Sequence, residues 1–417
     1  MAKLIINGGK KLNGTISVPT AKNTMLPILA GCVLVDGQVG IKQYPKFTDI
    51  IKMTGIIEDL GADCKILKNS LSVDSSKINN YVITTERASE LRSSIFTLGA
   101  LLGRFKKAKV AYPGGCAIGA RPIDLHLKGL EALGCKIVEK HGYIYCNGET
   151  MKGADVHLDF PSVGATENIM MAACCISGIT HIFNCAKEPE IVDLQNFLNK
   201  CGADVQGAGT DIITISGVNK LLHGCTYNPI GDRIIAGTYA IATAMTGGDV
   251  TIKNIEPKNI LSLIYKLRQM GCQVYTKAKS IRVISDRRCK CLTKIETMPF
   301  PGFPTDLQAQ MMALQTISEG TCVLVENLFE SRFKHVGELV KMGAKITVHD
   351  RSALIVGVDK LYGAEVYASD LRAGASLVIA GLVAEGYTTV NNIEYIDRGY
   401  LSIEKDLRVL GADIIRE

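Results

Sequence analysis

The chain has no tryptophan, and aromatic residues make up only 6% of its 417 residues. Stacking platforms for single-stranded nucleic acid need exposed aromatic rings, so that class of ligand is disfavoured. No long basic run exists either. The densest clusters, Arg104-Phe105-Lys106-Lys107 and Arg287-Arg288-Cys289-Lys290, read as solvated turns. No apolar run reaches the length of a membrane span, and the first residues lack the apolar centre of a signal peptide. No Cys-x-x-Cys pair occurs among fourteen cysteines, so zinc-ligand spacing is missing and no metal is expected. No Walker loop, dinucleotide fingerprint, His-Glu-x-x-His or Ser-His-Asp order is present. The expectation is a cytoplasmic protein with free thiols, without nucleic acid, membrane or obligate protein partner.

What is present is ordinary globular composition, with 47% hydrophobic and 21% charged residues and a net charge of +6. At this length two or three cores are the prior. A modest positive excess suits an anionic small molecule.

One pattern recurs along the chain: a helix end, then Gly, a small residue and a strand. It stands at Gly61, Gly134, Gly202, Gly271, Gly343 and Gly411, at intervals of 68 to 73 residues. Gly there takes the left-handed conformation that ends a helix. A second mark runs in phase with it. Apolar, small-residue helices end near Gly, as in Met170–Ser177 before Gly178 and Leu377–Glu385 before Gly386. Each unit of roughly 70 residues therefore reads strand, buried helix, strand, exposed helix and two closing strands. Six such units predict an α/β (α+β) protein of two domains with three units each, rather than an open solenoid, which would want polar capping repeats. The domain break falls near Gly224 to Ile230.

The most unusual stretch is Tyr112 to Leu127, with Pro113-Gly-Gly-Cys116-Ala-Ile-Gly-Ala-Arg121-Pro122 at its centre. Glycines let the backbone turn and let a ligand approach closely. A thiol here reads as a reactive cysteine on an anion-facing lid, with Arg121 able to lower its pKa. The same stretch also reads as a surface turn that happens to carry a cysteine.

Cations and donors recur where buried helices begin. Lys22 and Asn23 open one such helix, Arg92 another, and Phe160-Pro-Ser-Val-Gly-Ala-Thr-Glu-Asn168 a third. Free backbone N–H groups at such an entrance favour an anion. Glu188-Pro-Glu-Ile-Val-Asp193 reads as acids complementing the dipole of an exposed helix. Asp306, in Phe-Pro-Thr-Asp, reads as a helix cap or as a general base. Asp370-Leu-Arg372 and Asp397-Arg398 supply two more acid–base pairs. Converging on one cleft, Lys22, Arg92, Arg121, Arg372 and Arg398 would make an anion site, with Cys116 and Asp306 as its titrating groups.

The Cys116 stretch resembles the active-site loop of the UDP-N-acetylglucosamine 1-carboxyvinyltransferases, an enolpyruvyl transferase family. Ala-Lys-Asn, Phe-Pro-Ser-Val-Gly-Ala-Thr-Glu-Asn, Glu-Pro-Glu-Ile-Val-Asp, Phe-Pro-Thr-Asp, Arg-Phe, Asp-Leu-Arg and Ile-Asp-Arg-Gly-Tyr follow in family order across essentially the whole chain. The resemblance implies two inverse α/β barrels, each of three βαβαββ units. It implies one domain over 22–229, a second over 1–21 plus 230–417, and an active site in the cleft between them. The activity implied is transfer of the enolpyruvyl group of phosphoenolpyruvate to the 3-hydroxyl of UDP-N-acetylglucosamine, without cofactor, in the first committed step of peptidoglycan synthesis. Carried over residue by residue, Lys22, Arg121 and Arg398 would hold phosphoenolpyruvate, and Asn23 would assist. Arg92, Arg121, Pro122, Ile123, Asp124, Leu125, Ser162, Val163, Gly164, Asp306 and Leu328 would line the nucleotide-sugar site, and Arg372 joins the anion-binding set. Cys116 would be the thiol that forms an adduct with phosphoenolpyruvate and that fosfomycin alkylates. Two departures stand out. Pro19-Thr20 replaces the usual Ser-Gly before Ala21-Lys22-Asn23, which removes access to positive φ there, and Gly231 replaces a usual Pro. The alternatives are transfer to shikimate 3-phosphate, and a paralogue that binds UDP-sugar without turning it over.

Overall fold

The computed structural model describes residues 2–114, 119, 122–286 and 288–417. The chain divides into two compact units. One is drawn from the stretch between Thr20 and Ile230. The other combines the residues up to Pro19 with Gly231–Glu417.

The third repeat shows how each is built. Strand Asp155–His157 leads into helix Val163–Cys174, then strand Ile179–Phe183, helix Pro189–Lys200, and strands Asp204–Gln206 and Ile212–Ser216. The first two strands pair in parallel, with Asp155 opposite His181. A parallel pair needs a crossover, and the buried helix supplies it. Ile212–Ser216 then lies antiparallel between Ile179–Phe183 and Asp204–Gln206. Among the described residues this arrangement of one parallel and two antiparallel pairings occurs in six four-stranded sheets, beside a two-stranded one. The six helix-ending glycines all have positive φ, between 93° and 108°, as a left-handed stop requires.

The repeats are completed by distant chain segments. Thr226–Tyr227 pairs in parallel with Gly40–Ile41 of the first repeat. Asn13–Ser17 pairs in parallel with Asp249–Lys253 of the fourth. Leu4–Asn7 lies between Tyr387–Asn391 and Asp413–Arg416 of the sixth. The amino-terminal strands thus belong to the unit that ends the chain.

Helices Thr97–Phe105 and Val163–Cys174 pack against each other in one unit, and Gln308–Thr316 and Leu371–Gly381 do so in the other. All four are buried along nearly their whole length. Outer strands such as Lys136–Lys140 are mostly exposed, so the sheets lie outside the helices. An apolar helix surface then meets sheet or helix on every side, which explains its lack of a polar face. Burying each large aliphatic side chain contributes roughly 2 kcal/mol. The polar groups of these helices are used inside the core. Asn168 accepts from the Gly99 N–H at 2.7 Å and donates to the Ile95 carbonyl at 3.0 Å. Gln310 donates to Thr238 Oγ1 at 3.1 Å.

Two arginines brace loops away from the helix entrances. Arg104 donates to the carbonyls of Val33, Val35 and Ser75, each at 3.0 Å. Arg288 donates to the carbonyls of Ile317 and Val358, at 2.8 and 2.7 Å, and to Asp359. Helix Pro189–Lys200 differs from the exposed, acid-fronted helix expected of it. Glu190 and Asp193 are buried. Asp193 accepts from the Tyr227 hydroxyl at 2.6 Å and the Ile230 N–H at 3.1 Å. The returning segment 226–230 covers what periodicity alone reads as a solvent face. No helix among the described residues is long and apolar enough to cross a membrane.

Candidate active site

Lys22 is the first residue of helix Lys22–Gly31, whose preceding Ala21 provides no side-chain cap. The first-turn N–H groups of such a helix carry partial positive charge. Lys22 Nζ lies 3.0 Å from Asp49 Oδ2, with side-chain exposures of 13% and 4%. The ammonium is held in place beside its carboxylate. Asn23 follows in the same turn.

Thr20, two residues earlier, is buried and does not take positive φ. The change from the family's Gly therefore introduces no left-handed strain. Its Oγ1 has no hydrogen-bond partner. Gly231 is explained by close approach: a Cβ there would stand 1.7 Å from the Asn254 carbonyl oxygen. Asn254, itself at φ 62°, donates to the Val18 carbonyl at 2.9 Å.

Arg92 opens a 3-10 turn, Arg92–Phe96, rather than the α-helix that follows. Its Nη1 donates to the Gly114 carbonyl at 3.2 Å, at the foot of the glycine-rich stretch. Cys116 and Arg121 lie outside the described residues. Pro122 is exposed and Ile123 buried; Asp124 and Leu125 begin helix Asp124–Ala132. Ser162 caps helix Val163–Cys174, its hydroxyl accepting from the Ala165 N–H at 3.4 Å. Val163 and Gly164 form the first turn. A Cβ on Gly164 would meet His126 Cε1 at 2.8 Å and Phe96 Cε1 at 2.9 Å. Three chain segments, carrying Arg92, Asp124 and Ser162, thus converge, and only Gly permits that approach. His126 Nδ1 lies 2.7 Å from Asn168 Nδ2, which fixes the junction.

In the other unit Asp306 stands on the 3-10 turn Thr305–Leu307, ahead of helix Gln308–Thr316. It is no cap. Arg332 Nη2 donates to Oδ1 and Arg372 Nη2 to Oδ2, each at 2.6 Å. Both arginines are buried. Burial pulls the Arg372 guanidinium down, but the charges of Asp306, Tyr400 and Asp232 and the hydrogen bond to Asp306 together outweigh it, and the net shift is upward. Two buried cations on one carboxylate leave it charged and oriented. Asp370 caps helix Leu371–Gly381 through the N–H groups of Arg372 and Ala373, at 2.9 and 3.1 Å. Its carboxylate lies 3.9 Å from Arg332 Nη1. The neighbouring His335 is fully buried, and desolvation pushes its pKa down to about 4.

The Arg372 guanidinium turns to Asp306 rather than to Asp370, and Asp397 binds Arg416 at 2.6 Å. Arg398 follows the short helix Glu394–Asp397 and is half-buried. Leu328 presents its N–H to Glu326 Oε1 at 2.9 Å. Sequence reasoning passed over Asp49, Glu326 and Arg332 as site residues. Arg332 lies in the Arg-Phe dipeptide and could have been found by asking which cation answers Asp306. Nothing local marks Asp49 or Glu326. Among the described residues no group of His, Cys, Asp and Glu could hold a metal.

The EPSP synthase (3-phosphoshikimate 1-carboxyvinyltransferase) family profile matches residues 6–407. A UDP-N-acetylglucosamine 1-carboxyvinyltransferase 2 of Caldanaerobacter subterraneus subsp. tengcongensis is 50% identical over 416 residues, covering 100% of both chains. The UDP-N-acetylglucosamine 1-carboxyvinyltransferase of Desulforapulum autotrophicum is 48% identical over 417 residues, again covering 100% of both. Among solved structures, an enolpyruvyl transferase from Streptomyces tendae superposes with a TM-score of 0.88 at 22% identity, over 100% of this chain and 98% of that one. EPSP synthase from Acinetobacter baumannii follows at 0.75 and 18%, over 100% and 99%. Those two likenesses speak to the fold. The full-length identities near one half, joined to the profile match, decide the family: the chain belongs to the UDP-N-acetylglucosamine 1-carboxyvinyltransferases, within the wider enolpyruvyl transferase family.

Proposed function

We propose that this chain transfers the enolpyruvyl group of phosphoenolpyruvate to the 3-hydroxyl of UDP-N-acetylglucosamine, releasing phosphate, in the first committed step of peptidoglycan synthesis. The observation that carries the reading is the carboxylate of Asp306 held by Arg332 and Arg372, in a chain half identical to enzymes of that name. A cytoplasmic setting accords with the free thiols of all described cysteines. The substrates draw on both halves, taken as 22–229 and as 1–21 plus 230–417.

The chemical problem is an unreactive double bond. C3 of phosphoenolpyruvate must gain a proton so that C2 becomes electrophilic, and the sugar hydroxyl must lose one. Cys116 is assigned as the acid at C3 and Asp306 as the base toward the hydroxyl. A carboxylate between two guanidiniums is a weak base but a well-placed one. It takes its proton as the hydroxyl oxygen bonds to C2 and turns acidic. Lys22, Arg121 and Arg398 offset the substrate carboxylate and the departing phosphate, with Asn23 beside the phosphate. Phosphate then leaves and C3 gives its proton back. Arg92, Pro122, Ile123, Asp124, Leu125, Ser162, Val163, Gly164 and Leu328 line the nucleotide-sugar, with Arg372 orienting Asp306. Holding both substrates makes the attack effectively intramolecular. Fosfomycin is the inhibitor expected to alkylate Cys116.

The test is phosphate release from phosphoenolpyruvate with UDP-N-acetylglucosamine, and separately with shikimate 3-phosphate. Release with the nucleotide-sugar alone is expected. Calorimetric binding of the nucleotide-sugar without turnover would make the chain a binding paralogue instead. Cys116→Ser and Cys116→Asp then probe the acid: full activity in Cys116→Ser ends that assignment.

A further inference from the structure

We infer that Glu326 is a positioning residue that aims Asp306 at the nucleotide-sugar, an inference that rests on the function proposed above. Glu326 follows strand Thr321–Val325 and is fully buried. A buried carboxylate is costly unless hydrogen bonds satisfy it, and three donors do so. The Thr305 hydroxyl donates to Oε2 at 2.8 Å. The N–H groups of Leu328 and Phe329 donate to Oε1 at 2.9 and 3.2 Å. One side chain therefore ties the turn that carries Asp306 to the loop that carries Leu328.

The tie has a direction. An ionised carboxylate only accepts, so the Thr305 hydroxyl proton points at Glu326. The lone pairs of that hydroxyl are then left for Arg332, whose Nε donates to Thr305 Oγ1 at 3.3 Å. The same guanidinium donates through Nη2 to Asp306 Oδ1 at 2.6 Å. Glu326 thus sets Thr305, Thr305 sets the plane of Arg332, and Arg332 sets the carboxylate of Asp306. Networks of this kind orient a reacting group without touching substrate. Glutamine would keep the shape, but its amide would donate to Thr305 and leave the hydroxyl proton without this acceptor.

The experiment is a double-mutant cycle on the full chain with Glu326→Gln, Asp306→Asn and both together, read as phosphate release at varied substrate. Glu326→Gln is expected to lower kcat/KM for UDP-N-acetylglucosamine about tenfold to a hundredfold. The KM for phosphoenolpyruvate should stay within about twofold. The double variant should fall no further than Asp306→Asn alone. Thr305→Val, which cuts the relay but leaves the bonds to Leu328 and Phe329, should reproduce the loss. Losses that multiply in the double variant, or wild-type turnover in either Thr305→Val or Glu326→Gln, overturn the inference and leave the proposed reaction standing. A wild-type chain that releases no phosphate overturns the reaction itself.

Discussion

The two units share one sheet topology yet carry opposite charge arrangements where buried helices begin. At Lys22 a cation stands on the first turn and the Asp49 carboxylate holds it at 3.0 Å. At Asp306 the anion stands on the turn, and two buried guanidiniums hold it at 2.6 Å each. The backbone offers the same open N–H groups in both places. The side chains decide the task. A cation added to a helix entrance strengthens a site for an anionic substrate. A carboxylate held by two arginines is occupied by its own partners and is kept in one orientation.

That contrast is broken or sharpened most strongly at Asp306. Asp306→Asn keeps the shape and removes the base, so turnover should fall by about a hundredfold or more, measured as phosphate release at saturating substrates. Retained turnover would mean that the clamp is structural. Lys22→Met should act differently, raising the KM for phosphoenolpyruvate about tenfold or more while calorimetric binding of the nucleotide-sugar is unchanged. It should also cost roughly 2 kcal/mol of stability by taking a charged hydrogen bond from buried Asp49, read from a urea midpoint. Equal losses for both substrates would show that the two entrances do not divide the labour.

The clamp side should also carry its own pH dependence. His335 is held neutral, with its pKa lowered to about 4 in the folded protein, below the unfolded value of about 6.5. The unfolded chain therefore binds the proton first as pH falls. Stability should drop between about pH 6.5 and about pH 4, by up to roughly 3 kcal/mol. Unfolding of His335→Phe followed across that range should lack this component; an unchanged slope would move its origin elsewhere. The smallest effects on turnover are expected at the two loop braces. Arg104→Met removes four half-buried bonds to carbonyls, one of them long at 3.5 Å, and should cost roughly 3 kcal/mol. Arg288→Met, at a more exposed guanidinium, should cost about 1 kcal/mol. Neither should change turnover per folded molecule, and a change would place a brace in the site.

The repeat was legible because the feature that marks it is local. A glycine that ends a helix with positive φ is dictated by its own backbone, so six copies at near-equal intervals can be counted without a structure. The entrances at Lys22 and Ser162 were legible for the same reason, since a buried helix announces its first turn by composition. Helix Pro189–Lys200 was misread because its outer face is covered by residues 226–230, which bond to Asp193 from 34 and 37 positions on. Asp49, Glu326 and Arg332 went unassigned because each acts through a partner in another element.

By itself the order of residues determined the six units, their buried helices and the family, all properties of neighbours along the chain. Only the tertiary structure decided which charges meet. Arg372 stands two residues from Asp370 and binds Asp306 instead; Arg398 stands beside Asp397, which binds Arg416. The reason is physical. A buried charge must find its partner across the packed core, and the core is assembled by helices and sheets that return from far along the chain.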